Sequence, residues 1–497
     1  MRDAKTVAAA TALLCAVGVG GWARSAAAQQ PDSAQRPDSG PSVAALKQLS
    51  VEQLMNVEVM SVSKRAERLS RAASAIQVIT QEMIRRSGAS SLPEALRLAT
   101  NLQVAQIDAR QWAISARGFT STAANKLLVL IDGRTVYTPL YSGVFWDVQE
   151  VPLSDIDRIE VISGPGATLW GSNAVNGVIN VLTKHARDTQ GLSLVGGGGS
   201  ALRGFGTARY GGTLGSGAHY RIYGTWFTRE PSLLPPTGPD ADDRWHMGQG
   251  GFRLDWDASA ANQVTLQGDL YDGRSAQPQF NNIALSGGNV IAQWSHTVSP
   301  TSTVAAQLYY DRTHRNVPGT FGEDLDSYDV DVQHHTRLGA RHDVVWGLDY
   351  RLINDRVTNS AALAFVPPHV ARQWFTGFLQ DEITLVPERL QLALGTKLEH
   401  NDYTGFEVQP SGRVTWTLTP STTLWAAVSR ALRTPSRIDR ELFAPSQPPY
   451  ILEGGPNFHS EQELAYELGY RHQARALALA VATFYSHYTG LRSLEEV

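Results

Sequence analysis

Cysteine occurs once in the 497 residues, as Cys15. It falls within an export signal: Arg2 and Lys5 precede the apolar run from Val7 to Val19, and Ala26-Ala27-Ala28 supplies small residues for cleavage before Gln29. The bulky Leu14 ahead of Cys15 does not suit lipoprotein processing, which wants a small residue there. Residues 1–28 therefore read as a signal peptide, and the exported chain carries no thiol. That excludes a disulfide framework and a thiolate metal site, even though an exported chain goes where disulfides form.

Long apolar runs are missing as well. After the signal, no segment approaches the roughly 18 consecutive apolar residues of a membrane-crossing helix, so the chain either stays out of membranes or crosses one as a β-barrel. Charge of one sign is also scarce: 43 Lys and Arg against 47 Asp and Glu leave a net charge of -4, with no signal for a nucleic-acid partner. No Ser-His-Asp, His-Glu-x-x-His or paired-carboxylate arrangement stands out, so neither catalysis nor a cofactor is expected. The pair His334-His335 invites a metal, but neighbours on a strand point to opposite faces and cannot hold one ion from one side. No metal site is expected.

What the chain does contain changes character twice. Residues 29–49 begin with the polar Pro/Ser/Asp stretch "QQPDSAQRPDSG" and read as a flexible leader. Residues 50–184 form short mixed elements, an α+β domain. Ile76 to Ile79 is a strand, and Thr80 caps a short helix ending near Gly88. Ser91-Leu-Pro-Glu94 is a capping box opening a helix through about Leu98. Leu127 to Ile131 is a buried strand stopped by the tight turn Asp132-Gly133, which sends Thr135 to Tyr137 back. In "VISGPGATLWG" (Val161 to Gly171) a strand breaks into glycines as before a phosphate-cradling loop, but Pro165 removes one amide and the third glycine comes two residues late. The following "SNAVNGVINVLTK" (Ser172 to Lys184) makes turns and returns as a second strand, which argues against a nucleotide site.

From residue 185 to 497 the pattern is antiparallel β. Phe252, Leu254 and Trp256 alternate with Arg253, Asp255 and Asp257, and Val264, Leu266 and Leu270 alternate with Thr265, Gln267 and Asp269. Tyr328, Val330 and Val332 alternate with acids, as do Val344, Trp346, Leu348 and Tyr350 with Gly347, Asp349 and Arg351. Aromatic-rich apolar faces opposite charged ones, hairpin after hairpin, are the signature of an outer-membrane barrel with a wet lumen. Glu230 to Asp243 and Asn354 to His369 read as outer loops, and Thr417 to Ser421 as a periplasmic turn.

Several long motifs then resemble one known family in order. "AIQVITQEMIRRSGASSLPEALRLATNLQVAQID" (Ala75 to Asp108), "ISARGF" (Ile114 to Phe119), "LVLIDGRTVY" (Leu128 to Tyr137) and "DIDRIEVISGPGATLWGSNAVNGVINVLTK" (Asp155 to Lys184) resemble the plug domain of TonB-dependent outer-membrane receptors. "RALRTPS" (Arg430 to Ser436) and "GPNFHSEQELAYELGYR" (Gly455 to Arg471) are similar to its barrel signatures. The resemblance implies a plug inside an antiparallel transmembrane β-barrel, in the outer membrane of a Gram-negative-type bacterium. It implies import of a scarce ligand, a ferric siderophore first and cobalamin or an oligosaccharide as alternatives, energised by the TonB complex of the inner membrane. A passive porin would lack the plug motifs, and a secreted β-rich binding protein would lack the aromatic stripes that face lipid.

The resemblance also assigns residues. Gly164, Gly166, Gly171 and Gly177 shape tight connections in the plug, with Gly118 and the Asp132-Gly133 turn as further structural positions. Arg117 is expected to pair with a carboxylate of the plug or the inner wall, because a guanidinium in a partly dry interior needs one. A solvated lumen arginine is the alternative. The β-branched segment Val57-Glu58-Val59-Met60-Ser61-Val62 is the candidate that pairs with TonB by strand addition, against the alternative of an ordinary N-terminal plug strand. Met60 stands where the family commonly has Thr. Arg110, Trp112, Tyr137, Tyr141 and Trp146 lie on plug loops that in the family face the outer vestibule, where they hold a ligand, against the alternative that the aromatics pack plug against barrel wall. Residues 29–57 are too few for the extra periplasmic domain of receptors that also signal, which implies a transporter only.

Relatives close their barrel with about 22 strands of roughly 9 to 11 residues. From His185 to Val497 there are 313 residues, which suffice for roughly 15 strands. The chain also stops at Leu494-Glu495-Glu496-Val497 without the usual terminal aromatic. The expectation is a partial barrel, roughly 15 of about 22 strands, truncated at its C-terminus, with a barrel of smaller strand number as the alternative for the fold and a non-functional truncated receptor as a further alternative for the function.

Overall fold

The computed structural model describes residues 58–61, 67–69, 72–234, 238–474 and 477–493. The expected signal peptide, the expected leader, and Val57 and Val62 of the expected coupling segment lie outside the described residues.

Between residues 58 and 184 nine strands are β1 (Glu58–Val59), β2 (Glu67–Arg68), β3 (Ala75–Thr80), β4 (Gln103–Gln106), β5 (Trp112–Ser115), β6 (Leu127–Ile131), β7 (Arg134–Thr135), β8 (Ile156–Ser163) and β9 (Gly177–Thr183). Five of them make a sheet in the order β3-β8-β9-β6-β7, with β6 parallel to β9. The unbroken run at Leu127–Ile131 is buried throughout within it. One face packs Ile159, Val161, Ile179 and Val181 against helices α1 (Gln81–Ser87) and α2 (Leu92–Leu96) and against Trp112. The other gathers Ile162, Leu128, Leu130 and Val178 with Val59.

The punctuation follows local chemistry. The Thr80 side chain accepts from the Met83 amide to open α1, and Gly88, at φ 73, closes it in the left-handed conformation. Two expectations need correction. Helix α2 ends at Leu96 rather than near Leu98, and its capping box is incomplete. Ser91 accepts from the Glu94 amide, but the Glu94 carboxylate turns back one residue further, to the amide and hydroxyl of Ser90. After the Gly164-Pro165-Gly166 break the chain also makes one helical turn, α3 (Ala167–Trp170), before returning as β9. A single turn held by the Gly166 carbonyl supplies no row of free amides and leaves the nucleotide argument unchanged.

The second part is one antiparallel sheet of 15 strands, each paired with the next, from Gly191–Gly197 to Leu477–Thr489. Among the described residues these first and last strands are not paired with each other. The expected alternation sets the register: Trp256 lies opposite Val264, Leu254 opposite Leu266, and Val332 opposite Leu348. These side chains stand on the exposed face with Trp226, Trp294, Phe375 and Trp416, while Arg221, Asp255, Gln267, Arg315 and Glu463 are buried on the other. Strand pairs close through short turns at one end, as at 260–261 and 420–421. At the other end lie the long connections at 230–244, 359–368 and 434–460.

Because Leu348 is 61% exposed in the apolar band, Leu348→Arg should destabilise the sheet in lipid by about 2–4 kcal/mol. Folding yield into vesicles, read as heat-modifiable migration on a gel, measures this. The neighbouring inner-face substitution Asp349→Asn should leave the yield near wild type.

Candidate functional site

The 15-stranded sheet meets the plug through its inner-face side chains. Arg253 reaches Thr183, Gln267 the Asp132 carboxylate and Gln307 the Gly133 carbonyl. Arg134 pairs with Asp311 at 2.7 Å, and Asp155 pairs with Arg209 and Arg221. On the far side Arg117 Nη2 lies 2.5 Å from Glu467 Oε1 and also donates to the Ser163 carbonyl. Its guanidinium sits 4.0 Å from the centroid of the Phe484 ring.

Gly164 makes room for that pair. With φ at 104, a Cβ there would stand 2.5 Å from Glu467 Oε1 and 2.8 Å from Arg117 Nη1. Gly177 is needed for a different reason, since its Cβ would meet the Ile162 carbonyl oxygen at 2.5 Å across the β8–β9 ladder. Gly118, Gly133 and Gly171 also have positive φ, whereas Gly166 passes close to Val178. The Asp132 carboxylate accepts from the Thr183 amide and hydroxyl, fixing the turn it was expected to form.

At the long-loop end a cavity of about 450 Å³ lies between the plug and the sheet. Asp108 shapes its plug wall by accepting from the amides of Arg110 and Gln111. Arg110 then donates to Asp147, which is gripped by both terminal nitrogens of Arg315 at 2.9 and 2.7 Å. The Phe145 ring lies 3.8 Å under the Arg315 guanidinium. Burial alone would raise the Asp147 carboxyl, but Arg315 and Arg110 outweigh it and hold the group down at about 2.

Of the five side chains expected to face a ligand, Arg110 lines this cavity. Trp112 and Trp146 belong to the plug core, and Tyr141 packs with Leu140, Phe365 and Leu442 beneath the loops. Their apolar area is buried inside the protein, as the packing alternative has it for these three. Tyr137 lines a smaller cavity beside Trp170 and donates to or accepts from Ser142 at 3.0 Å.

The segment expected to couple to TonB is seated in the plug over its described residues 58–61. Glu58 and Val59 pair antiparallel with Arg68 and Glu67, and Val59 is fully buried. The buried Glu160 carboxylate accepts from the amides of Met60 and Ser61 at 3.0 and 2.8 Å, and from the Ser61 hydroxyl at 2.6 Å. Arg158 neutralises Glu160 from the other side. The Trp170 indole donates to the Ser61 carbonyl at 2.7 Å and Asn180 to its hydroxyl. Sequence reading missed Glu160 and Trp170. The signal for the first was an acid inside the apolar run of "DRIEVIS", where only a partnered carboxylate can sit.

Sequence reading also missed the strap formed by the long connection after residue 433. Its helix α4 (Arg437–Glu441) donates the Arg437 and Ile438 amides to the carbonyls of Pro139 and Leu140 on the plug. Buried Arg437 pairs with Asp355 and Glu441, and buried Arg433 with Asp439 and Glu461. The two histidines weighed for metal point apart: His334 bonds Ser302 and Trp346, and His335 bonds Asp343.

A family model described as TonB-dependent Receptor Plug Domain matches residues 68–178, and one described as TonB dependent receptor-like, beta-barrel matches residues 185–495. The chain belongs to the TonB-dependent receptor family. It is 26% identical over 412 residues to an iron-regulated outer membrane virulence protein of Vibrio cholerae, covering 76% of this chain and 60% of that one. A vitamin B12 transporter of Vibrio cholerae is 34% identical over 144 residues, 29% of this chain and 23% of that protein. The chain thus spans less than two thirds of the curated relatives it matches. A mutant of the ferric enterobactin receptor PfeA from Pseudomonas aeruginosa, solved in complex with enterobactin, superposes with a TM-score of 0.68 at 17% identity, covering 84% of this chain and 72% of that one. As a TonB-dependent receptor the chain is a Gram-negative outer-membrane protein, and the exposed apolar band of its sheet is the face toward lipid.

Two predictions follow the geometry of this receptor. Arg117→Ala leaves Glu467 buried without its cation and should cost about 3–5 kcal/mol, measured as the shift in denaturant unfolding in detergent; the double variant with Glu467→Gln should recover part of it. For Asp147, whose ordinary value is 3.8, the lowered carboxyl contributes stability present above that value and lost as pH falls toward about 2. Asp147→Asn should lower stability at neutral pH and flatten its decline between those two pH values.

Proposed function

We propose that this chain imports a scarce external ligand, a ferric siderophore first, across the outer membrane by engaging TonB of the inner-membrane energising complex. The observation that carries the reading is the seat of the segment around Val59 to Ser61. It is packed in the plug and anchored on Glu160, while the ligand-sized cavity opens on the opposite, long-loop side. A receptor of this build has one site for the ligand and another for the energy source, with the plug between them. Strand addition to Val59 needs a free backbone, and the short β1–β2 pairing is small enough to exchange for a partner strand.

Iron is favoured by the similarity to an iron-regulated outer membrane protein and to a receptor solved with enterobactin. Arg110 and Arg315 at the cavity are paired with Asp147 and stand beside Asp108 and Asp243, so the choice of ligand rests on these similarities. The match to a vitamin B12 transporter makes cobalamin the second reading. Nothing in this function calls for bond-making chemistry by the chain.

Iron-limited growth on a panel of ferric siderophores, compared between cells with and without the gene, tests the reading, with cobalamin-dependent growth as the second arm. Gene-dependent growth on a siderophore supports it; growth on cobalamin alone replaces iron by the second reading. Val59→Pro should bind ligand normally and import none, because proline removes a ladder donor. Normal uptake by that variant at normal surface levels would place the coupling segment elsewhere.

A further inference from the structure

The lipid-facing side of the sheet is not apolar over its whole height. The strands Ser302–Val317, Phe321–Leu338, His342–Thr358 and His369–Val386 have 16, 18, 17 and 18 residues, where roughly 9 to 11 suffice to cross the hydrocarbon. Their ends at the long connections therefore stand in the headgroup layer. Tyr310, Tyr328 and Leu352 lie side by side on the same face as the exposed Leu308, Val330 and Leu348. Two residues further out Arg312 is opposite Asp326, and two further still His314, Asp324, Arg356 and His369 form one row across four strands. The shorter neighbour Leu390–Asn401 differs: at that end His400 packs on Phe406, a ring 82% exposed.

The charges of these rows are unequally used. Arg312 reaches Asp324 and Asp326 at 3.4 and 3.1 Å, His314 lies 2.9 Å from Asp324, and Tyr310 donates to Asp326 at 2.6 Å. The exposed guanidinium groups of Arg274 and Arg356 make no ion pair and no side-chain hydrogen bond among the described residues. Arg274 stands on Asn262–Ser275, with Asp272 on the same face. Between that strand and the one bearing Arg312 and His314, Ile283–Ser299 offers Ala284, Ser286 and Gly288. These small residues floor a trough two strand spacings wide, about 10 Å, with an arginine on either side. Arg274 and Arg356 are four spacings apart, about 19 Å, too far for one phosphate to meet both.

Arg274, Arg312 and Arg356 are balanced on these rows by Asp272, Asp324 and Asp326. A headgroup layer of phosphates bridged by divalent cations carries both signs too, so an acid such as Asp272 does not exclude it. An arginine with free N–H groups takes a phosphate bidentately. We infer that this sector binds the phosphorylated glycolipid of the outer leaflet. Arg274 and Arg356 each donate to a phosphate, the trough over Ala284, Ser286 and Gly288 receives sugar, and the acyl chains descend over the exposed Leu270, Val290 and Leu308. The surface lies on the outside of the wall and is independent of the import reading.

The test titrates the full receptor in detergent with a bisphosphorylated glucosamine-disaccharide lipid, with the same lipid stripped of both phosphates, and with phosphatidylglycerol, and reads bound lipid by native mass spectrometry. The bisphosphorylated lipid is expected to bind at least about tenfold more tightly than either of the others. Arg274→Gln with Arg356→Gln should remove that preference. Ser286→Trp, which fills the trough and leaves every charge in place, should weaken the glycolipid and not phosphatidylglycerol. Arg341→Gln with Arg389→Gln, two exposed arginines at the short-turn end, should leave all three affinities as they were. Heat-modifiable migration identifies each variant as folded. Equal binding of the phosphorylated and stripped lipids overturns the inference, and so does a preference that survives loss of Arg274 and Arg356 or a glycolipid affinity untouched by Ser286→Trp. Phosphatidylglycerol bound as tightly as the glycolipid overturns it as well, leaving only a general surface for anionic lipid.

Discussion

A guanidinium removed from water must have a carboxylate beside it, and this requirement fixes how plug and sheet meet. Arg117 finds Glu467, Arg134 finds Asp311, and Arg315 finds Asp147, each pair joining residues far apart in the chain. The same need explains why the inner face of the sheet is so rich in charge. With apolar side chains turned to lipid, the alternate positions of every strand face the plug, and there they meet backbone carbonyls and acids. Energetically such pairs do little more than offset their own desolvation. Their value lies in register, because a plug displaced by one strand would strand several charges at once.

The plug's two ends are built from different chemistry. At the long-loop end, charge pairs around Asp147 and the strap through Arg437 brace an aromatic loop whose rings are mostly buried. At the end holding Val59 to Ser61, a single buried acid, Glu160, gathers two amides and a hydroxyl, with Arg158 behind it. A carboxylate with several donors is a firm anchor for a short peptide and also a reversible one, since each donor is replaceable by water once the segment moves.

Much of this was legible in the residues. The period of two in Phe252, Leu254 and Trp256 gives the sheet and its lipid face directly, and Thr80 and Gly88 mark both ends of a helix by their own hydrogen-bonding and steric properties. Leu127 to Ile131 could be assigned as a buried strand because nothing polar interrupts it. Side chains that act between distant segments were not legible. Trp112, Tyr141 and Trp146 were assigned to a vestibule because aromatics serve binding and packing equally well, and only the fold decides which. Glu160 carries no local mark of the Met60 and Ser61 amides it accepts from, about a hundred residues earlier in the chain.

The order of strands in the wall has a consequence for assembly. Every wall strand pairs with its next neighbour in sequence, so the sheet can be built hairpin by hairpin from local contacts. The plug's fastenings span the opposite extreme: Arg117 and Glu467 are separated by 350 positions. Loop closure over that distance is won only after the intervening strands are in place. The plug, made first, is therefore secured last, and its own two apolar clusters must keep it folded while it waits for the wall to arrive around it.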